Sequence, residues 1–456
     1  MKSTVLCAVL LSINSAVTSA QVISGPGQVI TSVPPVVERL PSNLSRLRQQ
    51  AESQAKGILD DKGNTVRGLA NQAINAGTPR FTVPDASTIL SSNGQPAFQE
   101  INVEGGFLAI DKEWLILIDD NQIEHLTHAS VALIEKQFMP SLSKWLFRIK
   151  IEGNGEEVSS FRNSLPAELR SQLSRNHVYL SQAKIQRAQE QSSANIPLST
   201  NENTANTSQL EKRFQCSQPL RMGMIDTEID HEHSSFAHID IAQQRFLEDD
   251  ISSSNEHGTS VASIMAKALP KHSQLFNANV FYTRNSISRG ATLSALLKAI
   301  NYLATLEVDA INMSLAGPDN PLLEIAIGEL DQAGIQVIAA VGNEGPASLP
   351  LYPAAYTQTL GVTAVDDKNQ IYRWANQGDY VDFAAPGVSI ETAAPLNKFI
   401  RQTGTSMAAP LVSAKYACVL RTLNNRHRAL ETLKQKAIDV GQPGRDTVFG
   451  FGVLLR

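Results

Sequence analysis

The sequence of 456 residues is too long for one ordinary hydrophobic core, so two or three folded units joined by spacers are expected. Hydrophobic residues make up 42% and charged residues 18%, the balance of a globular chain. A formal net charge of −5 leaves no basic surplus to attract phosphate backbones, so nucleic acid is excluded from the expected partners.

Lys2 precedes an apolar run from Val5 to Val17, and Thr18-Ser19-Ala20 supplies small residues before Gln21. This is the pattern of a secretory signal over residues 1–20. The run is short for a membrane span and Asn14 interrupts it, so a retained anchor is the weaker reading. The expected product is secreted, periplasmic or extracellular, with no membrane anchor after signal removal. Cys7 would leave with the signal. Cys216 and Cys418 then remain, and the sequence leaves open whether they form one disulfide or two separate buried thiols.

Residues 21–98 read as a flexible and helical N-terminal segment, with Leu44, Leu47, Ala51, Ala55 and Ile58 at helical spacing. From 99 to 183 the pattern predicts a small α+β domain. It has strands at Glu113 to Asp119 and Lys144 to Ile151, a helix at Ile123 to Phe138, a second helix carrying Val158, Phe161 and Leu165, and a closing strand from His177 to Gln182. Residues 184–215 turn polar and read as an exposed linker suited to proteolytic maturation, with Lys212-Arg213 one candidate cut. Beyond Cys216, apolar runs at Met222–Ile225, Ala310–Met313, Val337–Val341 and Leu360–Val365 alternate with helical stretches such as 291 to 306. Buried strands alternating with helices predict a parallel sheet covered on both faces.

In such a sheet, reactive groups gather at the carboxyl ends of the strands. Asp226 directly follows Met222-Gly223-Met224-Ile225, His257 opens His257-Gly258-Thr259-Ser260, and Ser406 sits in Gly404-Thr405-Ser406-Met407-Ala408-Ala409-Pro410. Singly, these residues are ordinary caps and turn formers. Together they supply an acid to orient an imidazole and an imidazole to deprotonate a hydroxyl.

These three segments resemble the signature motifs of the subtilisin-like serine proteases, the subtilases. The resemblance extends over about 218 to 456, through Ile311-Asn312-Met313-Ser314-Leu315, Ala340-Val341-Gly342-Asn343-Glu344-Gly345, Tyr352-Pro353-Ala354 and Ala385-Pro386-Gly387. It implies an α/β three-layer fold with a mostly parallel sheet over 216–456, preceded by a propeptide-like α+β domain at 99–183. It also implies a secreted serine endopeptidase acting on protein or peptide substrates, with Asp226, His257 and Ser406 catalytic and Asn343 in the oxyanion hole. Ser314, Leu315, Ala316, Gly317, Ala340, Val341 and Gly342 would bind substrate, and the N-terminal propeptide would act as an intramolecular inhibitor. Two other readings stay open: a catalytically inactive member of the fold that binds through the same cleft, and an unrelated acyl hydrolase. The Gly-x-Ser-x-Gly elbow of the latter is missing around Ser406.

The chain departs from the family pattern at Glu228 and Ser260, where glycine and a second histidine are usual, and at Ala316 and Leu351, which predict a shallower specificity pocket. No cofactor is expected to be required. The stretch from Ala266 to Asn279 is short and nearly acid-free, so the family's calcium loop is not carried over. Asp249, Asp250 and Asp319 are the candidates for weaker calcium binding, and no metal ligands are assigned.

Overall fold

The computed structural model describes residues 22–23, 29–30 and 86–455, apart from 154, 182–215, 249 and 286–287. The signal, the helix expected at 43–60, the linker with Lys212-Arg213, and Asp249 lie outside the described residues. Val22–Ile23 and Val29–Ile30 form a two-stranded antiparallel ladder in a unit distinct from the body of the chain, which runs from Pro79 onward.

The body contains a seven-stranded parallel sheet in the order Asp240–Arg245, Gln274–Asn279, Arg221–Asp226, Ala310–Met313, Gln336–Ala340, Thr359–Val365 and Phe383–Pro386. Successive side chains point to opposite faces, so a strand buried on both sides must be apolar throughout. Met222, Met224, Ile338 and Ala340 face a core shared with the helices Glu256–Ala268 and Ala409–Leu423. Ile225, Val337, Ala339 and Val341 face a second core with the helices Leu293–Ala304 and Pro321–Gln332. The result is the three-layer α/β arrangement expected from the apolar runs.

Arg221–Asp226 is the first strand of this sheet in the chain, yet it lies inside it, between Gln274–Asn279 and Ala310–Met313. The strand order therefore reverses at its carboxyl end, which is where an open sheet leaves a crevice. Asp226 is the residue at that end.

Residues 86–181 pack onto the body as a second, antiparallel sheet. Leu108–Ile118 is its long central strand, paired with Lys144–Ile151 and Ser174–Ser181. Trp114, Ile116 and Ile118 turn toward the local helix Gly155–Ser164 through Phe161. Leu115 and Leu117, one position out of phase, join the core of the parallel-sheet body. The central strand is thus buried on both faces over Trp114–Ile118.

Two expectations require correction. Residues 123–138 do not form a helix: Asp120–Leu126 is a 3-10 segment and Val131–Met139 is a strand paired antiparallel with Lys144–Ile151. A turn at Pro140–Leu142, closed by Ser143 at φ 51°, folds the two strands into a hairpin. Leu133 and Ile134 are exposed on the outer face of this strand. The long-range ladder overrides an ambiguous local period. The N-terminal boundary at 98/99 also shifts, because Thr88–Leu90 pairs with Pro96–Asn102 and buries Ile89, placing 86–98 within the sheet domain.

Candidate active site

Asp226 is completely buried, and its Oδ1 lies 2.6 Å from Nδ1 of His257. The Thr227 amide donates to the same oxygen at 2.7 Å, which fixes the carboxylate plane. His257 occupies the first turn of Glu256–Ala268. Gly258 lets that turn approach the strand end: a Cβ there would collide with the Thr227 and Glu228 carbonyl oxygens, and its N–H donates to Thr227 Oγ1 at 2.7 Å. Among the described residues, Nε2 of His257 meets no hydrogen-bond partner.

The helix bearing His257 packs against the turn Thr405–Met407, which carries Ser406 just before the helix Ala409–Leu423. Ser406 Oγ donates to the Ser314 carbonyl oxygen at 3.3 Å, and Ser314 Oγ donates to the Ser406 carbonyl oxygen at 3.1 Å. Asn312 Nδ2 donates to Ser314 Oγ at 3.0 Å, and Ser413 Oγ donates to Asn312 Oδ1 at 3.1 Å. This chain of polar groups locks the serine turn to the end of strand Ala310–Met313. The roles of Asn312 and Ser413 had no sequence signal, because both read as ordinary polar residues.

Asn343 comes from the loop after Gln336–Ala340, and its Oδ1 accepts from the backbone N–H of Thr405 at 3.0 Å and the Thr405 hydroxyl at 3.1 Å. Holding the oxygen end turns the donating Nδ2 end away from Thr405. The four residues singled out for chemistry are therefore brought together at one end of the sheet, all nearly inaccessible to solvent. The arrangement can orient an imidazole by a carboxylate, offer its second nitrogen to a proton, and present amide donors beside a hydroxyl.

The residues expected to bind substrate divide into two groups. Leu315–Ala316 forms a short strand, with Gly317 and Tyr352 exchanging backbone hydrogen bonds beside it at 3.0 Å each. The side chains of Ala340 and Val341 point into the two cores, so only backbone from that stretch is left to line a cleft. Gly342, at φ +112°, needs its glycine: a Cβ would lie 2.8 Å from Cδ1 of Leu351.

The edge of Leu315–Ala316 is occupied by the N-terminal domain. Strand Ser174–Ser181 runs antiparallel to Leu315–Ala316, with Leu180 opposite Ala316 and Ser181 opposite Leu315. On its other side it pairs with Arg289–Thr292, with Leu180 opposite Gly290 and Tyr179 opposite Ala291. The Tyr179 ring is fully buried against Gly317, where any Cβ would overlap it, and its hydroxyl donates to the Pro318 carbonyl oxygen at 3.0 Å. Neither Tyr179 nor Arg289–Thr292 stood out in the sequence.

Among the departures, Glu228 is exposed and takes no part in the buried pair. Ser260 is buried, donates to the Ala393 carbonyl oxygen at 2.9 Å and accepts from Gln402 Nε2 at 2.9 Å, so it fastens the helix to the hairpin Ile390–Gln402. Asp319 accepts from Tyr356 Oη at 3.1 Å. Among the described residues, no cluster of three or more histidine, cysteine or acidic side chains could hold a metal ion. No described helix is long and apolar enough to cross a membrane.

Comparison with known proteins gives a match to the subtilase family over residues 169–452. The chain is 31% identical over 211 residues to the minor extracellular protease Epr of Bacillus subtilis (strain 168), an alignment covering 44% of this chain and 32% of that relative. It is 31% identical over 219 residues to the major intracellular serine protease of the same organism, covering 44% of this chain and 68% of the relative. Among solved structures, the prenylagaramide maturation protease PagA aligns at 24% identity and a TM-score of 0.46, covering 55% of this chain and 95% of that one. The chain thus spans about a third of the length of the first relative and about two thirds of the second.

Proposed function

We propose, from the premise that this chain belongs to the subtilase family, that it is a secreted serine endopeptidase whose triad is Asp226, His257 and Ser406. The observation that carries this reading is the buried 2.6 Å Asp226–His257 pair on a helix packed against the Ser406 turn. Ser406 Oγ attacks a peptide carbonyl, and His257 Nε2 takes its proton and later passes it to the leaving amine. Asp226 holds the proton on Nδ1 and stabilises the imidazolium. Asn343 Nδ2 and the Ser406 backbone N–H receive the oxyanion. No metal or cofactor enters these steps.

The same reading makes residues 86–181 an inhibitory propeptide. Strand Ser174–Ser181 lies where an extended substrate would add to the edge of Leu315–Ala316, a recognition mode resting on backbone pairing. Because the strands are antiparallel, each step forward from Leu180 moves back from Ala316 toward Ser314, whose carbonyl oxygen accepts from Ser406. The bond assigned to self-cleavage is therefore Gln182–Ala183, and Leu351 leaves the pocket before it suited to side chains smaller than aromatic rings. A fluorophosphonate is expected to label Ser406, and the processed chain to begin at Ala183 with peptides bearing small residues cut ahead of aromatic ones. An unlabelled Ser406 in the processed chain would exclude the proposed chemistry.

The docked propeptide is expected to loosen in acid. Nδ1 of His177 accepts from Asn320 Nδ2 at 3.0 Å across the join, which holds the ring neutral. Burial first, then the Arg175 guanidinium, hold its pKa down to about 4 from 6.5, with Glu104 pulling the other way. Arg162 and Asp319 line the same cleft, of about 350 Å³, which lies apart from the triad. The docked state binds the His177 proton less readily than the free one, so attachment is at full strength above about 6.5 and is lost as pH falls toward about 4. After cleavage, the propeptide should co-elute with the catalytic part near neutrality and separate in acid, and His177→Gln should flatten this dependence. Co-elution that is constant across the range would contradict the assignment.

A further inference from the structure

Apart from the candidate triad, Cys216 and Cys418 bring two nucleophilic side chains to one core. They are free thiols, near enough that each is the leading influence on the other's proton, while the Cys216 thiol reaches the Gln218 carbonyl oxygen at 3.7 Å. Cys418 is buried in the core on the helix face of the parallel sheet, and Cys216, partly buried, packs against that core. The two sulfurs come from elements that must hold their relative positions for the site to work. Cys216 lies just before Arg221–Asp226, the strand that ends on Asp226. Cys418 sits on Ala409–Leu423, the helix that follows the Ser406 turn. Asp309 braces the same region, accepting from the Arg221 backbone N–H at 2.7 Å and pairing with Arg421 at 2.9 Å.

We propose that Cys216 and Cys418 are a built disulfide site, closed by a disulfide-class oxidant and joining the lead into the Asp226 strand to the helix behind Ser406. The thiolate of Cys216 attacks the oxidant's disulfide and expels one thiolate, giving a mixed disulfide on Cys216. Cys418, deprotonated as it attacks Cys216 Sγ, expels the second. Two protein thiols are oxidised, one oxidant disulfide is reduced to two thiols, and the protons pass to the leaving thiolates. The choice of Cys216 as the first nucleophile follows its surroundings. The nearby Cys418 thiol outweighs burial and holds the Cys216 thiol down to about 7, whereas Cys418, near that sulfur and buried, is pushed up. Lys415, one turn before Cys418, is a cation beside the pair whose own pKa burial lowers to about 8.

The staple closes a long loop and restrains the unfolded chain, so its effect is on stability rather than on the chemistry at Ser406. Its test does not depend on the proposed peptidase activity. The full chain, in a Cys7→Ser background, is incubated with glutathione disulfide, alkylated, and digested without reduction. The expected result is a cross-linked peptide pair containing Cys216 and Cys418 that separates on reduction. Reduction should also lower the thermal midpoint by about 5 to 10 °C, and Cys216→Ser, which leaves the buried Cys418 in place, should abolish that response to reductant. Recovery of both cysteines in alkylated form after oxidation, or a midpoint indifferent to reduction, would overturn the proposal.

Discussion

Replacing Ser406 with alanine is expected to leave the chain uncut at Gln182–Ala183 and to lower kcat on peptide substrates by a factor on the order of 10⁶, the scale seen when a subtilase loses this group. Among the described residues the hydroxyl makes one hydrogen bond, to the Ser314 carbonyl oxygen at 3.3 Å, so its removal costs about 1 kcal/mol of folding stability. The neighbouring locks through Ser314 Oγ, Asn312 and Ser413 do not involve it. A thermal midpoint close to the parent's, together with an intact mass that stays at the uncut value, is the expected pair of measurements. Cleavage of the purified variant at the same bond would show that a group other than Ser406 performs the processing.

Asp226→Asn should lower kcat by about 10⁴ while leaving KM near its original value, the scale found for the same change in another enzyme with this trio. The reason lies in the hydrogen bond rather than in bulk charge. Asp226 Oδ1 accepts from Thr227 N–H on one side and faces His257 Nδ1 on the other. An amide in that place can present its NH₂ to the ring, turning Nδ1 into the acceptor and placing the proton on Nε2, the atom that must take one from Ser406. The side chain keeps its size, so packing around this fully buried position is little altered. Glu228→Gln serves as the control, since Glu228 is exposed and removing its charge should change kcat less than about twofold. A large loss from Glu228→Gln, or a small one from Asp226→Asn, would contradict the assignment of the orienting acid.

Much of the body could be read before any coordinates, because its strands are buried on both faces and must be apolar without interruption. Met222–Ile225 and Ala310–Met313 fall within or coincide with observed strands. The candidate site was legible for a related reason. A parallel sheet puts its strand ends at one edge, so short polar motifs following apolar runs collect there, and Asp226, His257, Asn343 and Ser406 all do. Val131–Met139 was misread because its outward residues include Leu133, Ile134 and Phe138, so the two-residue alternation that marks a half-buried strand is blurred. Only the ladder with Lys144–Ile151 reveals it.

What the sequence by itself determined is the class of fold and the candidate reactive groups, since both follow from residue type at short range: apolar runs, turn glycines, and an acid, an imidazole and a hydroxyl in fixed order. Tertiary structure alone decided which groups brace the candidate ones and what pairs with the edge of Leu315–Ala316. Thr405 fixes Asn343, Asn312 and Ser314 brace Ser406, and Tyr179 seats against Gly317 across a gap of well over a hundred residues in the chain. The gathering of Cys216 and Cys418 into one core belongs to the same category. Such pairings depend on separations of a few ångströms between segments far apart in sequence, and no local period or composition encodes them.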